Sequence, residues 1–478
     1  MPASHARQAP STTSSSALDR LAAFLAAHSR ATEPAGELEP FERGLRELFA
    51  QALAEVVGTE LSRYDLDVPF VTIGGVGHRR VLRSASTYVT ASGKVEVSRT
   101  LYRHGDEPAV SAMDLRAGIV SGRYTPLAAR QAGWAMAHLT SRESEELFRQ
   151  VGGMAPSRCS LDRLAKDLGG QWEAERPLLE AFVRASEEVP ADAVTLAVSL
   201  DGVMVPMRDG ERARKREAAR STGKRTKGPA GYQEVGCGTV SFYDAEGERL
   251  ATRKLGRMPE SGKTTLKSML GAELHCALDQ RPDLTVVKVA DGAADNWTFL
   301  TDELPNGEEV LDFFHAAEHL SAACDAAFGE GHARGRAFFE KWRTTLREDR
   351  EGVAKVIRAL SHQIARHPTR RKLRVVRTYF RRNAHRMRYA ELRGRCLPIG
   401  SGVVEAACKT LATQRLKRSG MRWRHDGGQA VLTLRSLIQS DRFERAWELL
   451  AATYRKTVAV PENVIPLRPT PSLASVRT

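Results

Sequence analysis

At 478 residues the chain exceeds one ordinary core, so two to four domains are expected. Lysine and arginine total 72 against 58 acids, a net charge of +14 with a pI near 9.7, which favours a polyanion, nucleic acid first, over an acidic small molecule. No apolar stretch is long enough to span a bilayer, so no membrane partner is expected, and six scattered cysteines with no Cys-x-x-Cys pair read as reduced thiols in a cytoplasmic setting rather than a zinc site.

Residues 1–17 are serine-rich and lack an amphipathic stripe, which reads as a disordered tail. From Leu18 to about Tyr64 apolar residues recur at helical spacing. Short β-type runs follow at Phe70 to Ile73 and Arg80 to Arg83, and Ser92-Gly93 between Thr87 to Thr90 and Lys94 to Val97 signals a hairpin. Residues 18–124 therefore read as N-terminal helices and a small β unit. Thr125-Pro126 opens a helix towards Leu139, Ser141 to Val151 forms a second, and Gly152-Gly153 precedes a third with Leu161, Leu164 and Leu168 on one face. The span 125–190 reads either as a plain helical bundle or as a helix-turn-helix that inserts Ser160 to Asp167 into a major groove.

From Ala193 the pattern becomes α/β. Strands are expected at Val194 to Met207, Glu234 to Tyr243, Arg249 to Leu255, Thr285 to Asp291 and Glu309 to Phe314, with helices at Gly262 to Leu278 and Ala293 to Leu304. Three antiparallel strands joined to parallel strands with helices is the RNase H order. It places an RNase H-like α/β core at 191–314, an all-α insertion at 315–395 and the rest of the core, with a helix carrying Glu405, at 396–455. Residues 456–478, rich in proline and serine, read as a second disordered tail.

Three acids stand where local rules prefer other residues. Asp201 interrupts an apolar run, Asp291 ends another, and Glu405 lies in the first turns of a helix opened by Gly400-Ser401-Gly402. Asp is depleted in strands and costly to bury as a charge without a partner. Carboxylates gathered from separate elements suit a hard cation, with Mg²⁺ the default on phosphates. Two such ions, with Mn²⁺ able to substitute, would activate a nucleophile and stabilise the leaving oxygen of an in-line displacement. The competing local reading is that Asp201 and Asp291 only cap turns before Gly202 and Gly292.

The stretches Ser199 to Val203, Val289 to Trp297, Asp312 to Leu320 and Gly400 to Lys409, continued by Gln414 to Trp423, resemble bacterial insertion-sequence transposases of the ISKra type. These belong to the DDE transposases with an RNase H-like core, distantly Mutator-like, and the resemblance covers roughly Tyr88 to Leu450. It implies Asp201, Asp291 and Glu405 as catalytic and metal-binding residues, with Asp312 and His315 in support.

Two other motifs fail on their own terms. His315-Ala316-Ala317-Glu318-His319 has the spacing of inverted zinc peptidases but needs a third ligand. Gly256 to Thr264 follows a strand and opens a helix as a phosphate loop does, yet it has one residue too many between its glycines, and Glu260 would face a phosphate. Helix capping by Ser261 is the expectation there.

Basic residues complete the pattern. Arg214, Lys215, Arg216, Lys224 and Arg225 crowd the loop after the first core strand, and Arg366 to Arg388 interleaves arginines with Tyr379 and Phe380. Lys409, Arg415, Lys417, Arg418, Arg422 and Trp423 follow Glu405. These suit phosphate contacts with DNA, although Lys409 also suits an i,i+4 pair with Glu405. The expectation is a DNA transposase that acts on terminal inverted repeats and target DNA, at least dimeric because two ends are joined, in the bacterial cytoplasm at the nucleoid. A non-catalytic DNA-binding descendant and a RuvC-like structure-specific nuclease are the alternatives.

Overall fold

A computed structural model describes residues 16–208, 219–223 and 231–462. The chain divides into two compact units, Met1–Gln171 with Trp447–Thr478, and Trp172–Ala446.

In the first unit, helix Ala17–His28 opens on a capping box in which Ser16 Oγ accepts from Asp19 N at 3.0 Å and Ser16 N donates to Asp19 Oδ2 at 3.1 Å. Order thus begins inside the tail expected at 1–17, of which residues 1–15 lie outside the described residues. After helix Leu38–Arg63, strands β1 (Phe70–Ile73), β2 (Val76–Thr90), β3 (Gly93–Arg103) and β4 (Val110–Ser111) form an antiparallel sheet. Thr90 faces Gly93 at the hairpin. β2 is one 15-residue strand rather than two short runs, and Val81 to Thr87 contains no buried residue, so no inward alternation marks its middle. Val458 and Ala459 pair with Ile73 and Thr72 at the free edge of β1, which corrects the expectation of a wholly disordered 456–478. Two residues are too few to carry a strand period, and residues 463–478 lie outside the described residues.

Helices Pro126–His138, Ser141–Val151 and Arg158–Ala185 follow. Leu161, Leu164 and Leu168 of the third are fully buried. Its exposed positions over 160–167 are Asp162, Arg163, Lys166 and Asp167, a balance of charge that gives a phosphate backbone no net attraction.

The second unit is built on a five-stranded sheet of order β7-β6-β5-β8-β9. β5 (Thr195–Pro206), β6 (Tyr232–Tyr243) and β7 (Arg249–Arg257) are antiparallel, while β8 (Thr285–Ala290) and β9 (Glu308–Leu311) run parallel to β5. The last strand stops three residues short of the expected Phe314. Asp312 accepts from Phe314 N and His315 N as the N-cap of helix Phe313–Phe328, and this capping outweighs the β propensity of the aromatic pair.

Helices continue through Ala333–Glu348, Gly352–Arg366, Arg371–Asn383 and Tyr389–Gly394. Leu320, Leu346, Val356, Leu360, Leu373, Val376 and Phe380 from this stretch share one buried cluster with Val198, Val287 and Val310 of the sheet. At about 1.5–3 kcal/mol for each such side chain, the helical stretch and the sheet stabilise one another as a common core. Elsewhere in the unit, Glu273 is 2% exposed and receives Arg442 Nη1 and Nη2 at 2.7 Å each, with Arg253 at 3.3 Å.

Candidate active site

The register of the parallel strands brings two of the expected acids together. Ser199 on β5 is level with Val289 on β8, so Asp201, two residues further along β5, and Asp291, the first residue past β8, are neighbours across the pair. They are close enough for the charge of Asp291 to act on Asp201. On the other side, Ala290 is level with Leu311 of β9, which puts Asp312 beside Asp291 in the same row. The row lies just past the carboxyl ends of β8 and β9 and beside the middle of the longer β5.

The three carboxylates differ in what they do. Asp201 is half-buried, and its Oδ1 accepts from Gly202 N at 2.7 Å. Burial first, and the negative charge of Asp291 in addition, hold its pKa above the usual aspartate range, against the opposing pull of Lys263. Asp291 accepts from Ala293 N at 3.1 Å and from Asn296 Nδ2 at 3.3 Å, so it does close the turn before Gly292 as well as face Asp201. Trp297 Nε1 donates to its carbonyl at 2.6 Å. Asp312 is 2% exposed and saturated: besides its two cap bonds, its Oδ1 accepts from Ser401 N at 3.1 Å.

That last bond ties the Glu405 helix to the sheet edge. Helix Gly402–Ala407 begins right after Ser401 and continues as a π-helical turn, Cys408–Thr413. Val404, Ala407, Cys408 and Leu411 pack with Val205, Val235 and Cys237 of β5 and β6, and Cys408 Sγ sits 3.7 Å from Asp201 Oδ2. Glu405 is exposed and accepts from Ser401 Oγ at 2.9 Å. Among the described residues, no three His, Cys, Asp or Glu side chains form a ready metal-ligand set.

His315 and His319 lie 5.0 Å apart by ring centroid, and His319 stacks on Tyr379 at 4.0 Å. Burial and the neighbouring His315 push His319 below the usual histidine range. Tyr379 in turn covers the Asp291 turn so closely that a Cβ on Gly292 would come within 2.5 Å of its ring.

The basic residues fall into three groups. Arg214, Lys215, Arg216, Lys224 and Arg225 lie outside the described residues. Lys409, Lys417 and Arg422 are exposed, and Arg418 is half-buried; among the described residues no ion pair joins Lys409 to Glu405. Arg415 departs from the expectation of a phosphate contact. It is 2% exposed, its guanidinium 5.2 Å from the Trp423 ring centroid, while Trp423 Nε1 donates to Leu416 O at 2.9 Å and Trp423 N to Pro206 O at 3.0 Å. This pair builds the loop after the π-helical turn.

Sequence reasoning missed the roles of Ser401, Cys408 and Lys263, and it read Tyr379 only as a DNA-stacking residue, not as the cover of the Asp291 turn. Lys263 lies in the rejected phosphate-loop pattern, where Gly262 and Lys263 adopt φ of 62° and 54°. Its Nζ reaches Glu234 Oε1 at 3.1 Å and offsets the charge of Asp201. Leu266 N donates to Glu260 Oε1 at 2.9 Å, so Glu260, rather than Ser261, caps the helix that follows.

No protein-family model matches the chain, and no curated protein matches it. Among solved structures it is similar to the Drosophila P element transposase strand transfer complex at 10% identity, over 70% of this chain and 82% of that one, with a TM-score of 0.26. That likeness is too distant to assign an activity.

Proposed function

We propose that the chain is a DNA transposase whose Trp172–Ala446 unit is an RNase H-like core for strand cleavage and strand transfer. The observation that carries this reading is the adjacency of Asp201 on β5 and Asp291 just past the end of the neighbouring parallel strand β8, with the Glu405 helix packed on β5 and β6.

The donor set fits a hard divalent cation. All three side chains offer carboxylate oxygens, and two of them are half-buried neighbours of like charge, an arrangement that a cation relieves. Asp201 and Asp291 would hold Mg²⁺, or Mn²⁺ in its place, and Glu405 would complete the site. Such ions supply charge stabilisation at the phosphate and lower the pKa of a bound nucleophile.

The chain's own residues carry the rest. Asp312 and Ser401 fix the start of the Glu405 helix, and the Ser401 hydroxyl parks the Glu405 carboxylate close by. For Glu405 to turn inwards it gives up a hydrogen bond to a charged group, about 1.5–3 kcal/mol, which metal ligation would have to offset. Lys263 and Lys409 stand where they would meet phosphate oxygens. Joining two element ends requires two active sites, hence at least a dimer, and the net charge of +14 suits work on DNA in the bacterial cytoplasm.

The test is incubation of the full chain with labelled DNA carrying the inverted repeats that flank its gene, with target plasmid and Mg²⁺. Nicking at the repeat ends and joined products support the reading. Nicking without joining would make the protein a nuclease, and binding without nicking would make it a DNA-binding protein only.

A further inference from the structure

Beside the Asp291 turn, the second unit opens into a cleft of about 860 Å³ that begins at Gly292 and runs along helix Arg371–Asn383. Leu373, Val376 and Phe380 anchor that helix in the core, which leaves the opposite face to the cleft. Arg371, Arg374 and Arg382 line it, followed by Arg386 one turn on, so the arginines recur at helical spacing along one wall. Arg371, Arg374 and Arg382 are exposed, and none of them has a carboxylate partner among the described residues. The facing wall contributes one acid, Asp302, and otherwise hydroxyls and Trp297. Arg386 lies flat on the Trp297 indole, 3.8 Å from its centroid, held by Glu309 at 2.7 Å, and Tyr379 stands where the cleft meets the Asp291 turn.

Three arginines with no carboxylate partner against one lining acid, and a fourth held by Glu309 over an indole, make a site for a polyanion that also has flat faces to stack. We propose that this cleft binds a single, unpaired DNA strand and leads it to Asp291, an inference that rests on the transposase reading for its direction but not for its binding chemistry. The arginine row tracks the phosphates, and the Arg386 guanidinium, backed by the buried Trp297, and Tyr379 take bases, which single strands expose and duplexes do not. The concave shape favours one strand, because a duplex presents both backbones and needs a broader saddle.

The experiment measures binding of the full chain to a labelled oligothymidylate and to a blunt duplex of the same length by fluorescence anisotropy, without divalent ions. Arg374→Ala with Arg382→Ala is expected to weaken single-strand binding at least about tenfold and to make its salt dependence shallower by about 1.4, two contacts at roughly 0.7 each. Duplex binding should change by less than about twofold, and Arg374→Lys with Arg382→Lys should restore most of the single-strand affinity. Both positions face solvent, so the fold should survive, and an unchanged thermal midpoint verifies it. Equal loss on both probes, or no loss on either, overturns the cleft assignment. Wild-type cleavage separates the two readings: single-strand binding that follows the arginines while wild-type protein cleaves no DNA would keep the cleft and remove the transposase. Cleavage by wild type with single-strand affinity indifferent to the arginines would do the reverse.

Discussion

Ser401 donates its backbone N–H to Asp312 Oδ1 at 3.1 Å across 89 residues of chain. The bond closes a loop from the end of β9, through the whole helical stretch, back to the helix that bears Glu405. Asp312 also caps helix Phe313–Phe328 with its two remaining contacts, so one carboxylate fixes two helix starts at the sheet edge.

Asp312→Ala should therefore be costly. It orphans three backbone donors at a buried site, and the expected loss is at least about 2 kcal/mol, measured as a lower urea midpoint with unchanged slope. A shift below about 0.5 kcal/mol would mean that the latch does not organise this edge.

Ser401→Ala separates holding the helix from parking the side chain. The backbone bond to Asp312 remains, while Glu405 loses its hydroxyl partner. Freed of that competition, Glu405 should join the metal site more readily, and the Mg²⁺ concentration for half-maximal cleavage should fall by roughly tenfold, equivalent to about 1.4 kcal/mol. A rise in that concentration would show that the parked position is itself the working one.

Gly292→Ala tests how tightly Tyr379 closes the Asp291 turn. The added methyl would sit 2.5 Å from Tyr379 Cε2, so the turn or the ring must move, at about 1–3 kcal/mol. Adding Tyr379→Ala should recover most of the lost thermal midpoint in the double variant. Simple additivity of the two losses would contradict the contact.

The Glu273–Arg442 pair predicts a pH dependence. Burial acts to raise the Glu273 pKa, but Arg442, Arg253 and Arg184 together outweigh it, so the folded-state value lies below the ordinary 4.5. A depressed carboxylate contributes stability above its unfolded pKa and loses it as pH falls through the folded value. Wild type should thus lose part of its stability on acidification below about pH 4.5. Arg442→Met removes both close hydrogen bonds to the buried carboxylate, leaving it the longer contacts of Arg253 and Arg184, and should cost about 3–5 kcal/mol at neutral pH. In that variant burial faces only Arg253 and Arg184, so the Glu273 pKa rises relative to wild type and the deficit should narrow on mild acidification. Parallel pH profiles for the two proteins would contradict this balance.

Asp201 and Asp291 were legible in the sequence because each breaks an apolar run that any strand reading must explain. The antiparallel trio and the parallel strands followed from the same runs. What pattern could not give is contact between distant segments. Ser401 and Asp312 obey no common period, Val458–Ala459 is too short to show one, and β2 hides its length behind a stretch without buried residues. Arg415 reads as one more surface cation in a basic run, and only the fold of the loop around Trp423 puts it inside. Glu260 displaces Ser261 as a cap because its longer side chain reaches the Leu266 N–H, a choice that local propensity does not rank.

The central claim is that Asp201 and Asp291 share divalent cations, and Mn²⁺ binding followed by electron paramagnetic resonance tests it without relying on DNA or turnover. Wild-type protein should take up two Mn²⁺ ions per chain, displaced by Mg²⁺. Asp291→Asn should lose at least one of them and, with the like-charge repulsion on Asp201 relieved, melt no lower than wild type in metal-free buffer. Unaltered Mn²⁺ uptake by a folded Asp201→Asn, Asp291→Asn double variant would contradict the account.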